Sequence, residues 1–246
     1  MIVIFSGEGP TDLGQSKTGI SPCCGLDFAP GPMAALVDHT IEAKLGYSVL
    51  EETPDCAWYV SETELAKRAK SLGKRHVTFR GSKHPEAETG YFFKNAEMLA
   101  HFALEKEHTC EDISIAVLFR DCDGTRTSSP ALWESKFKSI NDGFRRAKYL
   151  RGVAMLPKPK SEAWLLCLAR SQKGGDCAKL ENLPGNDDST NSAKKQLDAA
   201  LGQHLSATQL YDWIKQRQPY FEHLSIMPSF ASFRDSMESA LSNLGN

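Results

Sequence analysis

The sequence contains no long apolar run, no paired C-x-x-C and no surplus of charge. Each absence removes a class of protein. The hydrophobic opening Met1-Ile-Val-Ile-Phe5 breaks at Ser6-Gly7 with no basic leader, too short for a signal-peptide core or a membrane span. Seven cysteines stand at irregular positions, 23, 24, 56, 110, 122, 167 and 177. An odd set with no paired motif argues against a disulfide framework and a zinc ribbon, and His76, His84 and Cys23-Cys24 have no partner at zinc-ligand spacing. The expectation is a cytoplasmic protein with reduced thiols and no membrane contact. A formal net charge of -2 excludes a generic polyanion binder, so any nucleic-acid contact must rest on a local basic surface. There is no G-x-x-x-x-G-K-[ST] loop, so the chain is not itself a P-loop ATPase. Internal repeats and low-complexity tracts are likewise missing.

What is present is an ordinary globular composition: 246 residues, 41% hydrophobic, enough for one substantial core or a core with a helical appendage. Ile2 to Phe5 reads as a buried strand ending in the turn Ser-Gly-Glu-Gly-Pro. Residues 10 to 32, rich in Gly, Pro and Ser, read as a long loop. A helix is predicted from Pro32 to about Leu45, stopped by Gly46. Others are predicted over Ser61 to Lys70 and about Gly90 to Lys106. Ile113 to Phe119 is a nearly continuous apolar run of the kind found in a sheet covered on both faces. An amphipathic helix from Pro130 to about Tyr149, a short strand from Gly152 to Leu156 and a helix capped by Ser161 through Arg170 come next. This alternation predicts an α/β core over 1–170 with a mainly parallel sheet flanked by helices. Residues 171–246 are expected to form a loop-rich insertion and a helical C-terminal extension packed on that core.

Two of the predicted strands deliver acids at their C-terminal ends, where open α/β sheets place ligands. In Asp121-Cys122-Asp123 the acids are two apart, so an extended chain points both to one side. Glu8-Gly9-Pro10-Thr11-Asp12 carries two more across a glycine turn. Acids clustered without Cys or His favour Mg²⁺ or Mn²⁺ over Zn²⁺, because hard cations take oxygen ligands. Two such ions activate water and neutralise the leaving oxygen of a phosphodiester. Phosphate hydrolysis is therefore the chemistry expected.

A hydrophobic strand, Glu8-Gly9, Thr11-Asp12 and a later hydrophobic strand ending in Asp121-x-Asp123 resemble the Toprim domain of topoisomerases, primases, small ribonucleases and the overcoming-lysogenization-defect nucleases. The resemblance covers roughly residues 1 to 160, with a longer interval between the motifs than in compact Toprim domains. It implies a Toprim-like Rossmannoid core and a nuclease acting on DNA or RNA. It makes Glu8 a metal ligand or general acid/base, Asp121 and Asp123 the main metal ligands, and Asp12 a further ligand as in the nuclease branch. Family nucleases also use a later lysine, for which Lys158 and Lys160 are the candidates. Overcoming-lysogenization-defect nucleases often join a Toprim domain to an ATPase. The resemblance thus implies regulation by a separate ATPase chain, in phage defence or as a toxin-like effector, and leaves room for an oligomer.

The segment Lys136 to Lys160 holds eight basic residues (Lys136, Lys138, Arg145, Arg146, Lys148, Arg151, Lys158, Lys160) against one acid, Asp142. Following the acidic pair directly, it is expected to carry a phosphate backbone past the metals. The bland reading is a solvated helix face. At the strand-to-helix junction Lys158-Pro159-Lys160-Ser161-Glu162-Ala163-Trp164, a lysine can stabilise the pentavalent phosphoryl transition state. Glu162 is a candidate ligand there or simply an acid in a helix's first turn, and Trp164 is expected to pack in the core. Two other readings exist. Asp121-x-Asp123-Gly124-Thr125 also matches the nucleophile loop of haloacid-dehalogenase-like phosphatases, with Asp121 as nucleophile, Asp123 as acid/base, and Lys158 or Lys160 and Asp187-Asp188 downstream. That fold needs most of its parallel sheet after the motif. The third reading is a non-catalytic nucleic-acid-binding or assembly subunit that keeps the Toprim shape.

Overall fold

The computed structural model describes residues 1–71, 85–122, 130–170, 176–216 and 218–245. Its centre is a five-stranded, mainly parallel sheet flanked by helices. Strand β1 (Ile2–Gly7) lies in the middle, with the later strands arranged around it: β2 (Gly14–Ser16), β3 (Cys23–Cys24), β4 (Phe28–Pro30), β5 (Ala57–Tyr59), β6 (Ser114–Phe119) and β7 (Gly152–Met155). The order is β3-β5-β1-β6-β7; β5, β1, β6 and β7 run parallel, β3 runs antiparallel to β5, and β2 and β4 pair separately.

Successive residues in a strand face opposite sides, and here both sides are covered. Val3, Phe5, Ile115, Val117, Phe119, Val153 and Met155 enter one core cluster, while Ile2, Ile4, Ala116, Leu118 and Ala154 enter the other. The first cluster is closed by α1 (Pro32–Leu45), with α2 (Val49–Glu52) beside it; the second by α3 (Glu62–Ser71), α4 (Pro85–Cys110) and α5 (Pro130–Arg146). Helix α6 (Ser161–Arg170), α7 (Ala193–Leu201), α8 (Ala207–Lys215) and α9 (Pro228–Ser242) join α1 on the first face. Residues from Cys177 onward therefore share one core with the sheet: Leu180, Leu197, Ile214, Leu224 and Phe233 are buried in the same cluster as Val3 and Phe5. Trp164 sits at its centre, fully buried, stacked edge-on against Phe230 and bonded through its indole N–H to the Ser229 hydroxyl at 2.8 Å.

Helix α1 starts at Pro32, whose missing N–H is harmless in a first turn, and ends at Gly46, which takes the left-handed cap (φ 82°). The segment expected as one loop, residues 10–32, instead holds a helical turn over Gly9–Leu13 and the short strands β2, β3 and β4. Runs of two or three residues are too short to show a period, and β5 escapes notice for the same reason. The cysteines also need correction: Cys167 of α6 and Cys177, ten residues on, are both buried and joined in a disulfide, with Cα atoms 5.3 Å apart. Among the described residues no helix is long and apolar enough to cross a membrane.

Candidate functional site

The C-terminal ends of β1, β6 and β7 lie side by side, since Gly7 pairs with Phe119 and Phe119 with Met155. The segments leaving these three strands are thereby brought to one edge of the sheet. Gly7 is required by this closeness: a Cβ there would lie 2.4 Å from the Phe119 carbonyl oxygen. After Glu8 the chain turns through Gly9 at φ +80°, a conformation that disfavours a side chain, and a Cβ at Gly9 would meet the Asp12 carboxylate at 2.8 Å. The turn so folded returns Asp12 to the strand ends.

Asp12, Asp121 and the start of α6 meet at one residue. The Ser161 backbone N–H donates to Asp121 Oδ1 at 2.9 Å, and its hydroxyl donates to Asp12 Oδ1. Ser161 is buried, and the Glu162 carboxylate lies 3.5 Å from the same hydroxyl. The Thr11 hydroxyl holds the other Asp12 oxygen at 3.3 Å. The loops after β6 and β7 are tied together by the Cys122 N–H on the Pro159 carbonyl, at 3.1 Å. Burial raises the Asp12 carboxyl above its ordinary value, against the lowering effect of the Ser161 and Thr11 bonds. Burial also raises Glu162, with the charge of Asp12 adding to it and Lys160 opposing. Lys160 pairs with Asp187 at 3.0 Å, so the region after α6 contributes an acid to this edge. Lys158 is half-buried and pairs with none of the described residues.

Glu8 occupies a second, adjoining arrangement. Arg120, the last residue before Asp121, is ion-paired through Nη2 to Glu8 and through Nη1 to Glu62, the latter at 2.6 Å. Asn95 of α4 donates to the same Glu62 oxygen at 3.2 Å. The Arg120 guanidinium lies over the rings of Tyr91 and Phe92, 4.6 and 5.0 Å from their centres. Burial raises the Glu62 carboxyl, Arg120 pulls it down, and Glu8 pushes it up. Arg120, Glu62, Asn95 and Ser161 escaped the sequence reading. Only Ser161 left a signal, as a cap, while Glu62 and Asn95 come from helices far away in sequence.

Four of the expected phosphate contacts stand at the wrong end of the sheet. Helix α5 carries the chain back from the end of β6 to the start of β7, and its 17 residues span about 26 Å. Arg145 and Arg146 end this helix, Lys148 comes just after it, and Arg151 precedes β7, bonding the Ser114 carbonyl at 3.0 Å and Glu107 at 2.7 Å. They lie beside the strand starts, away from the carboxylates. Lys136 is corrected for a different reason: it is 1% exposed, and its ammonium donates to the Cys122 carbonyl at 3.1 Å. It anchors the chain just after Asp121 from within. Lys138 is exposed and pairs with Asp142 along the helix. Asp123, Gly124, Thr125, His76 and His84 lie outside the described residues.

Among the described residues no three acids, histidines or cysteines gather closely enough to form a metal cage. The donors nearest one another are all oxygen: the Asp12 and Glu162 carboxylates at the Ser161 hydroxyl, and the Asp121 carboxylate at the Ser161 backbone N–H. That chemistry fits Mg²⁺ or Mn²⁺, and a cation beside the half-buried Asp12 and Glu162 would relieve the cost of their charge. Cavities of about 360 and 510 Å³ lie elsewhere, around His39 and Arg234 and around Phe144 and Leu150. Comparison with protein-family models, with curated proteins and with solved structures finds no match.

Proposed function

We propose that the protein is a Mg²⁺- or Mn²⁺-dependent nuclease, Toprim-like in its core, that hydrolyses phosphodiester bonds of DNA or RNA. The observation that carries the reading is the meeting of Asp12 and Asp121 on Ser161, with Glu162 beside them. Residues so far apart in sequence would not converge at strand ends for the sake of a turn. Asp12, Asp121 and Glu162 would hold the cation, together with Asp123. When bound, it supplies positive charge to the phosphate and acidity to a water.

The chain's own groups supply the rest. Ser161 sets the spacing of Asp12 and Asp121, and Lys136 fixes the carbonyl between Asp121 and Asp123. Lys160, braced by Asp187, offers an ammonium to charge developing on a phosphoryl oxygen. Glu8 sits at the rim as an acceptor for a proton from the attacking water. A phosphatase of the haloacid-dehalogenase type is a poorer fit. Its nucleophile strand precedes most of its sheet, whereas here β1, β3 and β5 all precede β6 and, among the described residues, only β7 comes after it. Control by a separate ATPase chain, in phage defence or as a toxin-like effector, belongs to the same proposal; a tagged chain that co-purifies without any ATPase argues against that part.

The test is cleavage of plasmid DNA and of tRNA in Mg²⁺ or Mn²⁺. Activity should vanish in EDTA and fall at least about 100-fold in Asp121→Ala, beyond what loss of an outer-sphere partner costs. A folded Asp121→Ala that cuts at the wild-type rate would refute the assignment.

A further inference from the structure

Arg120 poses a problem for any account in which Glu8 is free to act. A guanidinium presents five N–H donors in a fixed plane, and its Nε–H and one Nη2–H point from the same edge, spaced to grip two oxygens of a carboxylate or phosphate. In this protein the opposite side, Nη1, is held by Glu62, itself steadied by Asn95, and the plane rests on Tyr91 and Phe92. The cation is thus fixed from behind. Its forward edge is only half used: Nη2 pairs with Glu8, while Nε is buried and has no hydrogen-bond partner among the described residues. The Arg120 side chain is 13% exposed and that of Glu8 is 36% exposed, so Glu8 is the movable, solvent-facing member of the pair. Asp121 is the next residue along the chain.

We propose that Arg120 is the phosphate-anchoring residue of this site, its Nε/Nη2 edge taking two oxygens of a nucleic-acid phosphate that Glu8 screens in the free protein. The inference rests on the nuclease reading and adds how the substrate is engaged. A phosphate on this edge satisfies the orphaned Nε–H and releases Glu8 toward the neighbouring carboxylates, so substrate binding and arming of Glu8 become one event. The guanidinium stays compensated in the exchange, because one anion replaces another on it, and the freed Glu8 carboxylate is left as a base.

The consequence is opposite to that of an ordinary site residue: removing the Glu8 charge should tighten substrate binding, through Arg120. The measurement is fluorescence anisotropy of a labelled DNA duplex of about 20 base pairs and a labelled RNA in EDTA, where cleavage is off. Glu8→Gln should bind about ten-fold more tightly than wild type, the size of one charge-assisted hydrogen bond. In an Arg120→Gln background the same change should gain no more than Asp121→Asn does. Asp121→Asn serves as the control for simple loss of negative charge, and its gain should persist without Arg120. Should Arg120→Gln fail to fold, as judged by thermal melting, Arg120→Lys keeps the charge but not the paired donors and should likewise cut the Glu8→Gln gain to that of Asp121→Asn. An equal gain with and without Arg120 overturns the assignment while leaving the nuclease reading standing. If neither wild type nor Glu8→Gln binds either nucleic acid, the nuclease reading falls and this inference with it.

Discussion

The two ends of the sheet each carry an arginine locked to glutamate, yet they are built for different ends. Beside the strand starts, Arg151 holds Glu107 and the Ser114 carbonyl, Glu107 accepts both the backbone N–H and the hydroxyl of Ser114 at 2.8 and 2.9 Å, and Tyr149 donates to the Ser114 carbonyl at 2.6 Å. One acid meets one base, and every bond joins parts of the scaffold. Beside the strand ends, Glu8 and Glu62 pair with Arg120, Asp187 pairs with Lys160, and Asp12, Asp121 and Glu162 gather at Ser161. The first network is closed; the second carries excess negative charge and, among the described residues, leaves a buried arginine N–H unused. A closed network steadies a fold, whereas an unbalanced one costs stability unless something binds there.

The sharpest way to break this contrast is to disturb each end in turn. Ser161→Ala removes the hydroxyl that holds Asp12 but keeps the backbone bond to Asp121. Cleavage should fall about 30-fold, within the range for residues that orient metal ligands. Arg145→Ala at the far end, 67% exposed, should change the rate less than about two-fold, as a surface substitution would. Equal losses at both ends would show that the distinction is false.

A smaller effect should appear in stability against pH. Asp12 and Glu162 have raised carboxyls in the folded protein, from ordinary values of 3.8 and 4.5. The folded state therefore binds these protons more tightly than the unfolded chain. Their contribution is complete below the ordinary values and is lost as pH rises through the raised ones. In EDTA, Asp12→Asn should accordingly melt a few degrees above wild type at pH 8 and lose that advantage near pH 4. Mg²⁺ should stabilise wild type more than the variant. A wild type that melts higher than Asp12→Asn at pH 8 without metal contradicts this.

Much of the scaffold was legible because its elements are long. The apolar run before Phe119, the proline and glycine bounding α1 and the Ser161 start of α6 all carry local signals with a physical cause. Short elements were not: β3 and β5 acquire strand geometry only by pairing, β5 with β1 and β3 with β5. The acids of the site were legible as types at strand ends, but their partners were not. Arg120 reads as an ordinary residue after a strand until α3 brings Glu62 against it and α4 brings Asn95 to that Glu62. The basic run misled because charge along a sequence does not say which end of a helix faces the site. Helix α5 carries Arg145 and Arg146 away from the very acids that precede it. Lys136 misled in another way, since a lysine on an amphipathic helix reads as exposed until its ammonium is found on the Cys122 carbonyl.

Titration of Mn²⁺ into the metal-free protein, followed by calorimetry, bears most directly on the convergence of Asp12 and Asp121. Wild type should bind the ion, and Asp12→Asn and Asp121→Asn should each weaken it about ten-fold or more, while Glu107→Gln at the opposite end binds as wild type does. Binding that survives unchanged in both aspartate variants would contradict the account.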